Sequence, residues 1–140
     1  MLLALFDRLR QAVERRSMPA HLAEGRRGED IAMRYLQAKK YVVIDRNYRT
    51  PTGSGEIDLI AWDGGQLVFV EVKTRTSAEV NLPDRAADEA KLNRVRRAAT
   101  SYLREARLPA SCARLDLVSI ILSKPVEIRH MRDILGGQRS

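Results

Sequence analysis

Asp58, Glu71 and Lys73 are the residues of this 140-residue chain best placed by type and spacing to do chemistry together. Asp58 sits in the run Gly55-Glu56-Ile57-Asp58-Leu59-Ile60. Glu71 and Lys73 close the run Leu67-Val68-Phe69-Val70-Glu71-Val72-Lys73. Between them, Trp62-Asp63-Gly64-Gly65 is a strong hairpin signal. Strand side chains alternate faces, so Glu71 shares a face with Lys73, and Asp58 with Glu56. If Gly64-Gly65 is the loop, Asp63 pairs with Gln66 and Asp58 falls opposite Glu71, with Cβ atoms ~4.5–5.5 Å apart. If Asp63-Gly64 is the loop, Asp58 shifts opposite Phe69 and keeps the face of Glu71. Either register gathers two carboxylates and an ammonium on strands otherwise built of Val, Ile, Leu and Phe. Like charges in such a place repel unless a cation lies between them. The pattern is that of a divalent-metal site with a lysine beside it.

The competing explanation is a solvent face, with Glu71 and Lys73 as a surface pair of little energetic consequence. The neighbours speak against it. Leu67 and Phe69 lie on the Glu71 face, and Val68, Val70 and Val72 cover the other. A strand apolar on both faces is buried. Charges that begin only at its C-terminal end mark a site.

The flanking sequence predicts the elements that hold these strands. Residues 2–16 read as an amphipathic helix, with Leu2, Leu5, Phe6, Leu9 and Val13 on one face. Ser17-Met18-Pro19 ends it. This gives an arm over 1–19, packed on the domain or on a second copy in a homodimer, ahead of a single domain over 20–140. A second helix is predicted from about His21 to Lys40. Gly25, Gly28, Ala32 and Leu36 form its stripe, and two glycines there predict close approach to a sheet or a ligand. Glu29 borders the stripe; its pattern allows either an inward carboxylate or a solvent-facing one paired with an arginine. Tyr41–Ile44 reads as a strand, and 47–53 as the connection into the hairpin. After Lys73 come a loop over 76–85 and a long helix over 86–107, with Ala87, Ala90 or Lys91, Arg94 or Val95, Ala98, Tyr102 and Ala106 on one side. Strands over 115–122 and 126–130 complete the order α-α-β-β-β-α-β-β. That order predicts an α/β fold with a mixed central sheet flanked by helices.

The net charge is +7, and hydrophobic residues make up 44%. Residues 51–75 carry a balance of −2, which leaves +9 on the rest. An acidic centre in a basic frame suits a metal site that works on a polyanion. Lys91, Arg94 and Arg97 make the long helix the most basic one, and they join Arg49 and Arg75 as candidate phosphate contacts. Cys112 is the single cysteine, so no internal disulfide forms, which suits a reducing cytoplasm. No apolar run reaches membrane-spanning length, and residues 1–6 are too short and lack the basic leader of a signal peptide. The expectation is a cytoplasmic protein with no membrane partner. A thiol enzyme is disfavoured, since His21 and His130 are far apart in sequence. His130 reads as a structural strand residue.

Gly28-Glu29-Asp30, Arg46-Asn47-Tyr48-Arg49, Gly55-Glu56-Ile57-Asp58-Leu59-Ile60 and Val68-Phe69-Val70-Glu71-Val72-Lys73-Thr74-Arg75 together resemble the YraN-like family of small bacterial proteins, over about residues 20–135. That family is similar to the PD-(D/E)XK nuclease superfamily, and most of all to archaeal-type Holliday-junction resolvases. The resemblance implies a restriction-endonuclease-like fold and a metal-dependent endonuclease acting on nucleic acid, with branched DNA as the substrate class. Asp58 would be the metal-binding aspartate, Glu71 the second acidic ligand, Lys73 the catalytic lysine, and Glu29 the resolvase-type helix glutamate. Ile57 stands where many members have proline, which is not a ligand. Hard oxygen donors from Asp58, Glu71, Glu29 and the Val72 carbonyl suit Mg²⁺ or Mn²⁺. Two readings of other classes compete: a nucleic-acid-binding module without activity, and an assembly protein that uses the N-terminal arm.

Overall fold

The computed structural model describes residues 20–76 and 85–135. The expected arm over 1–19 and nearly all of the expected loop over 76–85 lie outside the described residues. Helix α1 spans Ala20–Ala38, and strands β1 Val42–Arg49, β2 Glu56–Asp63 and β3 Gln66–Arg75 follow it. Helix α2 spans Arg85–Ala106, and a short 3-10 turn at Ala110–Cys112 leads into β4 Ala113–Ile121 and β5 Glu127–Met131. The strands form one sheet in the order β1-β2-β3-β4-β5. Only β3 and β4 are parallel; the other neighbours are antiparallel. A parallel pair needs a long crossover, and α2 supplies it. This is the mixed sheet flanked by helices that the element order predicts, and it is consistent with a restriction-endonuclease-like fold.

Both faces of the sheet are covered, which is why its central strands carry apolar residues at consecutive positions. On one face, Ala32 and Leu36 of α1 pack on Leu59, Ala61, Val68, Val70 and Val118. On the other, Val95, Ala98 and Leu103 of α2 pack on Ile57, Ile60, Leu67, Phe69 and Leu115. Burying one such aliphatic side chain contributes roughly 1.5–3 kcal/mol. The buried side of α2 differs from the predicted stripe. Ala87, Ala90 and Ala106 are exposed while Leu103 is buried, and the described side chains from Ala86 to Lys91 are exposed throughout. The first turns of α2 thus leave the apolar core and carry their charged residues to the end of β3.

Strand β1 also runs further than predicted, through Arg49 instead of ending at Ile44. A register shift between Val43 and Asp45 breaks its alternation, and Asn47 has a φ of 54°. A bulge of this kind hides a strand from a period-two search. Close packing sets the helices. A Cβ on Gly28 would meet Thr74 Oγ1 at 1.8 Å, so α1 sits directly on the end of β3. Gly25, the other glycine expected to make a close approach, has nothing within 4 Å. A Cβ on Gly55 would lie 2.5 Å from the Arg94 carbonyl oxygen and 2.8 Å from the Ala98 amide nitrogen, both backbone atoms of α2.

A polar network locks the opposite end of the sheet. Arg114 Nε and Nη2 donate to the two oxygens of the fully buried Asp116 at 2.9 and 3.0 Å, and Nη1 donates to Asp63 and Gln66, each at 2.8 Å. His130 Nε2 lies 2.8 Å from Asp116 Oδ2, and the Asp133 amide donates to Oδ1 at 2.9 Å. Burial alone would push the Asp116 carboxyl up; Arg114, the Asp133 amide and His130 hold it below its ordinary value. His130 is therefore the structural residue its strand position suggests.

Two outcomes follow for stability in urea. Gly55→Ala should cost about 1–3 kcal/mol, because backbone cannot swing aside as a side chain would. Arg114→Met should cost about 3–5 kcal/mol by leaving Asp116 buried and uncompensated. A wild-type midpoint for Arg114→Met would show that the network contributes nothing.

Candidate metal centre at the split of the sheet

The backbone pairing of β2 with β3 begins at Asp63↔Gln66 and continues to Leu59↔Val70. Gly64-Gly65 is therefore the loop, and the register with Asp58 across from Glu71 is the one the hairpin adopts. At that position the regular ladder stops. The Val72 amide instead donates to Asp58 Oδ2 at 2.8 Å, so a carboxylate takes the place of a strand carbonyl. A strand residue directs its N–H and C=O to the same edge. The Val72 carbonyl thus opens into the gap beside Asp58.

Glu71 points toward α2 and is only 7% exposed. Burial, then the adjoining Asp58 carboxylate, raises its pKa to about 8, against the pull of Lys91 in the other direction. Lys91 Nζ of α2 is 3.0 Å from Glu71 Oε2. Burial works against the Lys91 ammonium, but Glu71 and Asp58 outweigh it and raise its pKa. From the other face, α1 brings Glu29 within range of Asp58, and burial followed by that charge raises the Glu29 carboxyl as well. Asn47, in its left-handed conformation, hydrogen-bonds to Glu29. Glu29 Oε2 is buried without a hydrogen-bond partner and lies 3.5 Å from Arg46 Nη2. That same nitrogen is 2.6 Å from Asp30 Oδ1 but outside hydrogen-bond direction, and Arg46 Nε is likewise buried without a directed bond.

The predicted residues are thus partly gathered. Asp58, Glu71 and Val72 converge at the gap. Glu29 turns inward, the first of the two options open in the sequence; it does not face solvent, although Arg46 sits beside it. Lys73 lies two residues beyond Glu71 and is exposed. Among the described residues, no group of three or more His, Cys, Asp or Glu side chains is arranged to hold a metal ion. The donors are a carboxylate pair, with Glu29 set to one side. Such a set still fits a hard divalent cation: Mg²⁺ commonly takes one or two carboxylates and keeps several waters. A buried glutamate with a raised pKa beside a second carboxyl, and an orphaned glutamate oxygen near them, is what a cation would relieve.

Of the candidate phosphate contacts, Arg49 and Arg97 are exposed, and Arg49 and Arg94 flank Glu56 at 3.9 and 3.4 Å. Arg75 has a buried Nε with no hydrogen-bond partner. Lys91, placed with the phosphate contacts by sequence, bonds to Glu71 instead. Its proximity to the acidic pair has no signature in the sequence beyond a place on one side of α2. Arg46 stood within a quoted motif, but nothing in its spacing marked it as a neighbour of Glu29.

The raised Glu71 pKa has a testable sign. A carboxyl that holds its proton more tightly when folded stabilises the fold below its unfolded value near 4.5, and that stability is lost as pH rises through about 8. Without divalent metal, unfolding free energy should fall between those limits by an amount on the order of a few kcal/mol. Glu71→Gln should flatten the profile. Urea titrations from pH 5 to 8.5 check this, and equal slopes in both proteins would refute the buried-carboxyl account.

The model of a family described as "Uncharacterised protein family UPF0102" matches residues 28–120, a span that holds Glu29, Arg46, Asp58, Glu71, Lys73 and Lys91. A UPF0102 protein of Solibacter usitatus is 44% identical over 131 residues, covering 94% of this chain and 98% of its own. One from Paenarthrobacter aurescens is 42% identical over 112 residues, covering 79% and 91%. One from Geobacter metallireducens is 40% identical over 108 residues, covering 76% and 87%. With most of its length matched at this level of identity, the chain belongs to the uncharacterised protein family UPF0102.

Proposed function

We propose that the chain is a Mg²⁺- or Mn²⁺-dependent nuclease that hydrolyses phosphodiester bonds in nucleic acid, with DNA as the expected substrate. The observation that carries this reading is the pairing of half-buried Asp58 with buried Glu71 at the split of β2 and β3. Asp58 caps the Val72 amide, but a second carboxyl beside it in an apolar sheet carries an electrostatic penalty that a bound cation removes. When bound, the divalent ion supplies a more acidic water and neutralises charge on the phosphate.

The chain's own residues divide the remaining work. Asp58, Glu71 and the Val72 carbonyl would hold the cation, with Glu29 as a further acidic donor. Lys73 projects from the strand that carries Glu71 and orients the attacking water or stabilises the charge that builds on phosphorus. The water oxygen bonds to phosphorus, the phosphorus bond to the departing sugar oxygen breaks, and a proton passes to that oxygen. Arg49, Arg75, Arg94 and Arg97 supply the cationic frame that binds the backbone with a steep salt dependence. Resemblance to PD-(D/E)XK nucleases and archaeal-type resolvases adds the expectation of branched DNA.

One observation favours a second reading. Lys91 already gives Glu71 a counter-charge, which a non-catalytic nucleic-acid-binding module could keep as a closed ion cluster. Cleavage and metal binding separate the two. Mn²⁺ should raise the melting temperature of the wild type by mass action, and Asp58→Ala should abolish the gain. Lys73→Met should keep metal binding and lower the cleavage rate at least tenfold. Glu71→Gln should weaken both. A panel of branched, single-stranded and duplex DNA with Mg²⁺, Mn²⁺ or EDTA measures the rates. Metal-dependent cleavage at the wild-type rate in Lys73→Met would sink the assignment of that lysine. No cleavage of any substrate would leave the binding module ahead.

A further inference from the structure

The Lys91–Glu71 contact joins the most basic helix to the acidic pair. Lys91 Nζ is 3.0 Å from Glu71 Oε2, and the two side chains differ sharply in exposure: 54% for Lys91 and 10% for Glu71. The carboxylate is fixed in the sheet, while the ammonium reaches it on a flexible four-carbon stem from the solvent side. Asp58 and Glu56 also attract Lys91. Arg94, on the next turn of α2 and the same side, is 3.4 Å from Glu56 and half-exposed. The apo protein thus closes its acidic gap with cations from α2.

We propose that Lys91 is an internal counter-ion of Glu71 that a divalent cation displaces onto the nucleic-acid phosphate, so that metal loading and substrate binding are cooperative. The inference rests on the metal-centre reading above. Mg²⁺ binds a carboxylate oxygen at about 2.0–2.1 Å. An ammonium 3.0 Å from that same oxygen would face the ion at close range, and two cations repel there. Lys91 is the mobile member, because its stem is half in water and α2 is exposed around it. When it leaves Glu71, it meets solvent in the free protein but a phosphate in the complex. The phosphate rewards the movement that the metal requires. By linkage, the metal must then strengthen nucleic-acid binding by the factor by which nucleic acid strengthens metal binding. In this role Lys91 is a positioning residue, since it acts by releasing Glu71 and by drawing the phosphate toward the gap.

A latch and an ordinary phosphate contact behave differently. A lysine free to touch phosphate contributes to affinity with or without metal. A latched lysine contributes only once metal has freed it. The test uses the full chain and a fluorescein-labelled, phosphorothioate-linked DNA duplex that resists cleavage, with anisotropy read in EDTA and in saturating Mg²⁺. Lys91→Met should bind the duplex within twofold of wild type in EDTA and at least fivefold more weakly in Mg²⁺. Lys91→Arg should restore the Mg²⁺-dependent part. Circular dichroism melts report whether each variant is folded, and Lys91→Gln replaces Lys91→Met if the latter is not. Equal losses in both conditions would make Lys91 a plain phosphate contact, and no loss in either would make it a structural ion pair; both overturn the latch. Asp58→Ala tests the underlying reading separately. It should abolish the Mg²⁺ enhancement of wild-type binding, and an enhancement that survives would remove the metal centre itself, whatever Lys91 does.

Discussion

The constraint on which the rest of the structure depends is the end of the β2–β3 ladder at Leu59↔Val70. Up to that pair the strands satisfy one another's backbone groups. Beyond it, the Val72 amide needs an acceptor, since an unpaired buried N–H costs as much as a lost hydrogen bond. Asp58 provides one through its side chain. That single substitution of a side-chain carboxyl for a carbonyl puts an acidic group at the end of the ladder and fixes its orientation. It also leaves the neighbouring Glu71 facing a like charge in a place that water scarcely reaches.

The surrounding elements respond to that charge. Helix α1 seats on Thr74 through Gly28, which sets Glu29 beside the split. Helix α2 seats on Gly55 through its own backbone, which sets Lys91 on Glu71 and Arg94 on Glu56. Both contacts are possible only because a side chain is missing at the point of closest approach. The Arg114–Asp116 network performs the opposite task at the far end of the sheet. There a buried carboxylate has every neighbour it needs, and its pKa lies below the ordinary value. The two ends hold their buried acids differently. Asp116 is fully partnered and its carboxyl lies below its ordinary value, whereas burial and the neighbouring Asp58 raise Glu71 despite Lys91.

Much of the fold was legible in the chain. The hairpin turn, the consecutive apolar positions of β3, the long basic helix before β4 and the final short strand follow from local chemistry, and the structure has each of them. The extent of β1 was not legible. Asp45, Arg46 and Asn47 look like loop residues, and the bulge before Asp45 destroys the alternation that marks a strand. The buried side of α2 was legible only in part. Val95 and Ala98 follow the helical period, but how far the first turns overhang the core depends on where β3 ends.

The sequence alone determined that Asp58 and Glu71 share one face of a buried hairpin, because strand periodicity and turn chemistry are local and leave only two registers. It also determined that Glu71 and Lys73 project together, whatever the rest of the chain does. Only the tertiary structure decided which register holds, since that choice depends on how the whole sheet packs between two helices. Only it could place Glu29 beside Asp58 and Arg46 or bring Lys91 to Glu71. These contacts join residues between 17 and 29 positions apart, on elements whose relative placement is set by close approach at Gly28 and Gly55. The raised pKa of Glu71 has the same origin. Charge and residue type are written in the chain, but burial and the distance to the nearest cation exist only once the elements have packed.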